Sequence, residues 1–154
     1  MKKNEFVLIL PNIRSAHNVG AIFRTADGAG VDKIYLCGYT PRPPHPRLDK
    51  VSLGAEKSVA WEGVGQAARL LKKLKTEGFL VVALEQTKKS VNIYTWKPKF
   101  PVVLVVGNEK TGVGKNLLKY CDVAVELPMS GTKASLNVSV AAGIAMYHIS
   151  HNIK

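Results

Sequence analysis

Acidic and aromatic side chains are both scarce in this 154-residue chain: 11 Asp and Glu stand against 22 Lys and Arg, and Phe, Trp and Tyr together make up 7%. Only two cysteines occur, Cys37 and Cys121, with neither a CxxC spacing nor a neighbouring histidine cluster. That argues against a disulfide scaffold or a cysteine-bound metal and for structural thiols in a reducing cytosol. Long apolar runs are missing too. The stretch Phe6–Leu10 is too short for a signal peptide or a membrane span, so a soluble, cytoplasmic protein without a membrane partner is expected. Internal repeats and low-complexity tails are likewise absent.

What remains is a strongly cationic, well-filled globule. The formal charge of +11 creates a field that attracts polyanions, which makes nucleic acid the first partner to test. With 46% hydrophobic residues, the length suits a single domain over residues 1–154.

Five short apolar runs, Phe6–Leu10, Ile34–Cys37, Phe79–Leu84, Val102–Val106 and Val123–Leu127, each end at Pro, Gly or a polar turn. Uninterrupted runs of this kind suit strands covered on both faces. Between them, Val19, Ile22, Phe23 and Ala26 recur at one-face helical spacing, and Val64–Lys75 turns Ala67, Leu70, Leu71 and Leu74 inward. The pattern predicts an α/β fold, a mainly parallel sheet with helices on both faces. A last helix, about Leu136–Asn152, is apolar around much of its circumference and rich in small residues, so it must be buried or paired. A homodimer interface and ordinary packing on its own sheet both satisfy that demand. Thr40–Lys50 has four prolines and no periodicity, and its Arg42, Arg47 and Lys50 mark it as a basic, substrate-facing loop or a stiff connector.

Ligands of open α/β sheets bind beyond the carboxyl ends of the strands, and three polar clusters begin there. Leu10 leads to Asn18 and Arg24, Val106 to Gly107 and Glu109, and Leu127 to Met129, Ser135 and Asn137. Asn18 suits a helix N-cap, Arg24 falls to one side of the apolar stripe, and Glu109 is placed to orient either of them. Gly107 allows a close backbone approach and Gly131 a sharp turn, while Ser135 and Asn137 stand where a helix starts. Each of these residues also has an ordinary structural use as a cap, a surface charge or a solvated turn. The glycine-rich Gly107–Asn116 is not a P-loop: the spacing that ends at Gly114-Lys115 requires Gly where Glu109 stands and Ser or Thr where Asn116 stands. His148 and His151 lack a third ligand, and no metal is expected.

The run Asn12–Asp27, the strand end Val105–Glu109 and the segment Leu127–Ser139 together resemble the three signature motifs of the SPOUT superfamily, in its SpoU or TrmH-like branch of RNA ribose 2'-O-methyltransferases. The resemblance covers nearly the whole chain. It implies a C-terminal trefoil knot, a homodimer, and S-adenosylmethionine held largely by backbone groups near Leu84, Gly107, Leu127, Met129 and Leu136, with Glu85 and Asn108 close by. It further implies transfer of a methyl group to a ribose 2'-hydroxyl of tRNA or rRNA. Arg24 would activate the hydroxyl, Asn18 would position Arg24, Glu109 would fix the two, and Ser135 and Asn137 would shape the knot and contact cofactor or ribose. Arg14 is a candidate phosphate contact. Compared with larger relatives, no N-terminal RNA-binding extension is expected before the first motif, so RNA is expected to be recruited by Arg42, Arg47 and Lys50, by Lys72, Lys73 and Lys75, and by Lys88 with Lys89, or through the dimer partner. A catalytically idle RNA-binding or ribosome-assembly factor on the same fold, and a base-methylating SPOUT enzyme, are the competing readings.

Overall fold

A computed structural model describes residues 2–153. In chain order its elements are β1 (Phe6–Pro11), α1 (Ala16–Ala29), β2 (Lys33–Cys37), α2 (Pro46–Ser52), α3 (Ala55–Ser58), β3 (Ala60–Val64) and α4 (Ala67–Thr76). They continue with β4 (Leu80–Leu84), β5 (Val91–Asn92), β6 (Val102–Val105), α5 (Lys115–Leu118), β7 (Val123–Glu126) and α6 (Val138–His151). The strands form one sheet in the order β3-β2-β1-β6-β4-β7-β5, with every neighbouring pair parallel.

Each of the five apolar runs forms a strand, and the alternation of side chains along it builds two cores. Phe6, Leu8 and Leu10 of β1 join Val19, Ile22 and Phe23 of α1 and Ala142, Ala145 and Met146 of α6 on one face. Val7 and Ile9 join Leu70, Leu71 and Leu74 of α4 and Leu117 of α5 on the other. A parallel sheet sandwiched in this way needs apolar side chains at successive positions, which is why the runs are unbroken.

Five features differ from the sequence reading. Val64 ends β3, so the helix expected from Val64 begins at Ala67. The last helix begins at Val138, with Asn137 as its N-cap accepting from the Ser139 amide. The strands β3 and β5 were not expected: β3 is an edge strand with a half-exposed pattern, and β5 is only two residues long. The basic loop is half helical, because His45 caps α2 and Pro46 starts it while Leu48 is fully buried. Proline suits a first helical position, where its missing N–H costs nothing. A helix of this length is too short to display a repeat.

Helix α1 is closed at its end by Gly30, whose left-handed backbone (φ 75) lets the amides of Gly30 and Val31 bond back to carbonyls of the last turn. Its Gly20 lies against α2 so closely that a Cβ there would come 2.5 Å from the Leu48 carbonyl oxygen. Both cysteines are free, and burial pushes the Cys37 thiol up to about 12 and the Cys121 thiol up to about 11, so neither is a ready nucleophile. His148 packs its ring on Trp96 and meets the Trp96 carbonyl at 2.9 Å, a packing role. Among the described residues no helix is long and apolar enough to cross a membrane.

Gly20→Ala is expected to force α1 and α2 apart and to lower the unfolding free energy by about 1–3 kcal/mol. Urea denaturation measures this, and an unchanged midpoint would show that the contact yields without cost.

Candidate active site

Because all the strands run the same way, their carboxyl ends share one edge, and the loops after β1, β4, β6 and β7 gather there. Ser15, not Asn18, is the N-cap of α1, its hydroxyl accepting from the Asn18 amide at 3.1 Å. In a capping box the third helical residue reaches back to the N-cap amide. Here that position is Asn18, too short for the task, and a carboxylate from far along the chain performs it. Glu109 accepts from the backbone N–H of Arg14 and of Ser15, each at 3.0 Å, and from the Asn18 side-chain amide at 3.3 Å.

The chain of bonds continues into the third motif. Asn18, only 7% exposed, accepts from the Asn137 side-chain amide at 3.3 Å. Asn137 in turn accepts from the Ser139 amide at 2.8 Å and from its hydroxyl. A carboxylate, two carboxamides and a helix start thus link all three motifs by charge-assisted and neutral hydrogen bonds. Partial burial pushes the Glu109 pKa up, but the amides of Arg14 and Ser15 and the Asn18 side chain outweigh it and hold the carboxyl below its usual range.

Beside this relay lies a cavity of about 430 Å³ bounded by the loops after β4, β6 and β7. Leu84, Gly107, Leu127, Met129 and Leu136, expected to hold the cofactor, all line it, as do Glu109, Ser135 and Asn137. Two glycines shape its wall. A Cβ on Gly107 would stand 2.7 Å from the Gly112 Cα, and one on Gly112, itself at φ 64, would stand 2.1 Å from a Glu85 carboxylate oxygen. Glu85 binds the amides of Val113 at 2.8 Å and Gln86 at 2.9 Å, tying the β6 loop to β4. Apolar side chains with loop backbone between them, at this volume, fit an adenosine-bearing ligand such as S-adenosylmethionine.

Arg24 lies on the exposed face of α1, outside the cavity lining, and Glu109 does not engage it; the expectation that Glu109 fixes Asn18 and Arg24 together is met only for Asn18. The reason is the helical turn: six residues after Asn18, the chain has rotated Arg24 away from the sheet edge. Gly131 is a second correction. A Cβ there would meet nothing within 4 Å, and its φ lies outside the left-handed region, so the tight positions are Gly107 and Gly112 instead. Arg14 projects from the β1 loop onto a neighbouring cavity. Arg42, Arg47 and Lys50 are exposed, and the Arg42 guanidinium lies where a Cβ on Gly63 would stand. Sequence reasoning missed Ser15 and Thr40. The Thr40 hydroxyl joins the Leu10 carbonyl at 2.8 Å to the Ile13 amide at 3.0 Å, and a lone threonine before prolines carries no signal of that.

A single parallel sheet with a polar relay and a ligand-sized cavity at one edge defines an α/β enzyme-type domain. Residues 5–147 match the model of the SpoU rRNA Methylase family, and the chain belongs to that family. It is 35% identical over 147 residues to the tRNA (guanosine(18)-2'-O)-methyltransferase of Aquifex aeolicus, covering 95% of this chain and 69% of the relative. It is 33% identical over 152 residues to the 23S rRNA (guanosine-2'-O-)-methyltransferase RlmB of Haemophilus ducreyi, covering 96% and 60%. Among solved structures, the AdoMet-bound rRNA methyltransferase of Sinorhizobium meliloti superposes with a TM-score of 0.89 at 29% identity, over 96% of this chain and 56% of that one. The chain thus spans between half and seven-tenths of these proteins.

Glu109→Gln places an amide N–H₂ against donors and removes the charge, and is expected to lower stability at neutral pH by about 1 kcal/mol, since solvent reaches the site. The folded-state pKa is depressed, so the carboxylate's contribution is complete above the ordinary glutamate range near about pH 4.3 and fades as the pH falls through the lower folded value. Denaturation at stepped pH should therefore show a shallower acid decline for Glu109→Gln. Parallel curves for the two proteins would contradict this role.

Proposed function

We propose that the chain is an S-adenosylmethionine-dependent RNA methyltransferase acting on a ribose 2'-hydroxyl of tRNA or rRNA. The observation that carries this is the Glu109–Asn18–Asn137 relay standing at the rim of the cavity between the three motif loops. When bound there, S-adenosylmethionine supplies an electrophilic methyl group. The protein's part is to hold the ribose in line with it and to stabilise the charge that develops as the hydroxyl loses its proton. Arginine stays protonated, so Arg24 serves as an electrostatic partner of that oxygen rather than as a base.

The exposed position of Arg24 is explained if the working unit is a homodimer. Helix α6 leaves Val140 (51% exposed) and Tyr147 (52% exposed) uncovered, and Tyr147 lies across Gly28 of α1, one turn from Arg24. A second copy seated on this apolar face would meet Arg24, so that Arg24 of one subunit serves the cavity of the other. The trefoil knot has a topological argument. Strand β7 lies between β4 and β5, which are consecutive strands, so the connection from Glu85 to Ser90 passes around β7 before α6 returns to pack on α1. The basic composition supports an RNA partner, and two free thiols, Cys37 buried and Cys121 half-buried, suit a reducing, cytoplasmic setting.

Labelled methyl transfer from S-adenosylmethionine to unmodified tRNA and rRNA, followed by nucleoside digestion, is expected to place label in a 2'-O-methylnucleoside. Label in a base would support the base-methylating reading, and cofactor-independent RNA binding without label the idle factor. Arg24→Ala should reduce transfer by at least about 100-fold while cofactor affinity stays near normal, and Asn137→Ala should weaken cofactor binding. Mixing Arg24→Ala with Asn137→Ala should give more activity than either variant alone if Arg24 acts across the dimer. Retained turnover in Arg24→Ala would remove it from the mechanism.

A further inference from the structure

A second cavity, of about 340 Å³, opens beside the first and shares Asn108, Lys110, Thr111 and Gly112 with it. Its far wall is made by Asn12, Arg14 and Tyr39. Tyr39 is 60% exposed, yet it is held at both ends. Its amide donates to the Asn12 side-chain oxygen at 3.1 Å, and its phenol oxygen accepts from the Asn108 side-chain amide at 3.0 Å.

The supports of that ring are unusual in backbone as well. Asn12 stands in the left-handed region at φ 53 and Gly38 at φ 60, and a Cβ on Gly38 would come 1.9 Å from the Asn12 side-chain oxygen. Residue 38 must therefore be glycine for the two loops to lock. Asn108 uses its whole side chain: the oxygen accepts from the amides of Lys110 at 2.8 Å and Thr111 at 3.2 Å, while the nitrogen donates to Tyr39 and to the Asn12 carbonyl. Strain and satisfied bonds of this kind around an otherwise exposed ring indicate a surface held ready for a ligand. Because its oxygen accepts from Asn108, the phenol keeps its own proton to donate. Among the described residues neither the Arg14 guanidinium nor the Lys110 ammonium forms an ion pair with a carboxylate, so both side-chain charges are available at the same cavity.

A rigid aromatic face flanked by free cations suits an unstacked nucleotide, with its base on the ring and its phosphate on the charges. Geometry favours the same occupant. A ribose presenting its hydroxyl to the first cavity must send its base to one side, and the shared wall from Asn108 to Gly112 is the boundary between the two spaces. We propose that the second cavity seats the target nucleobase, with Tyr39 as the stacking platform and Arg14 and Lys110 as contacts for its flanking phosphates. The proposal rests on reading the first cavity as the S-adenosylmethionine site. Stacking accepts every base, so Tyr39 sets the register of the nucleotide rather than its identity.

The test is a titration of the protein, saturated with S-adenosylhomocysteine, with each of the four nucleoside 5'-monophosphates, following the backbone amide resonances of Tyr39, Lys110 and Gly112. These resonances should shift, Tyr39→Leu should bind the nucleotides at least about tenfold more weakly, and Tyr39→Phe should stay within about twofold of the parent. Unmoved resonances at saturating nucleotide, or equal binding by Tyr39→Leu, would overturn the proposal. Unchanged affinity of Tyr39→Leu for S-adenosylhomocysteine confirms that the variant is folded. Should the parent fail to bind S-adenosylhomocysteine at all, the cofactor reading falls, while the same titration without it still reports on Tyr39.

Discussion

The Glu109 carboxylate meets the start of α1 through two backbone amides and the Asn18 side chain, and the geometry of the whole edge depends on that contact. Those amides belong to a helix terminus with too few partners of its own, and its partial positive charge favours an anion. By supplying the anion from the loop after β6, the chain ties its first motif to its second. Asn18, turned inward by the same helix, then reaches Asn137 and brings in the third. Without the carboxylate, the start of α1 would lose its anionic partner, and the first and second motifs would be joined above the sheet only through Asn108.

That sheet provides the other half of the constraint. Parallel strands buried on both faces leave polar groups nowhere to go except the two edges where strands end. The apolar runs supply the core, and the loops that follow them supply the chemistry, all at one edge. Two cavities result, divided by a wall whose glycines permit a backbone approach that any side chain would block. Asn108 serves both sides of the wall, as part of the first cavity's lining and as the anchor of Tyr39 in the second. On the proposed reading the two spaces have a common purpose, since a methyl donor and a nucleotide must lie side by side.

Much of this was legible in residue order. The five apolar runs are strands, and the cavity lining contains the residues expected from the motifs, from Leu84 through Leu136. Segments with weak local signals escaped. Strand β3 is a half-exposed edge, β5 is two residues long, and α2 has one buried apolar residue, Leu48, beside the buried Ser52, where an apolar repeat would need several. The capping of α1 was misplaced from Ser15 to Asn18, because both residue types cap helices and only the fold decides which one begins the turn. Gly131 was expected to be tight because it is a glycine in a motif, yet open space surrounds it.

By itself, the order of residues determined the five buried strands, the principal helices, the polarity of each loop and the cationic surface, because these follow from local periodicity and composition. Only the tertiary structure decided that Glu109 serves a helix more than 90 residues away, that Arg24 faces outward, and that Tyr39 stands at the mouth of a second cavity. Those outcomes depend on how loops distant in sequence meet at the sheet edge. No local pattern encodes such a meeting, because the partner that completes each hydrogen bond lies on another loop.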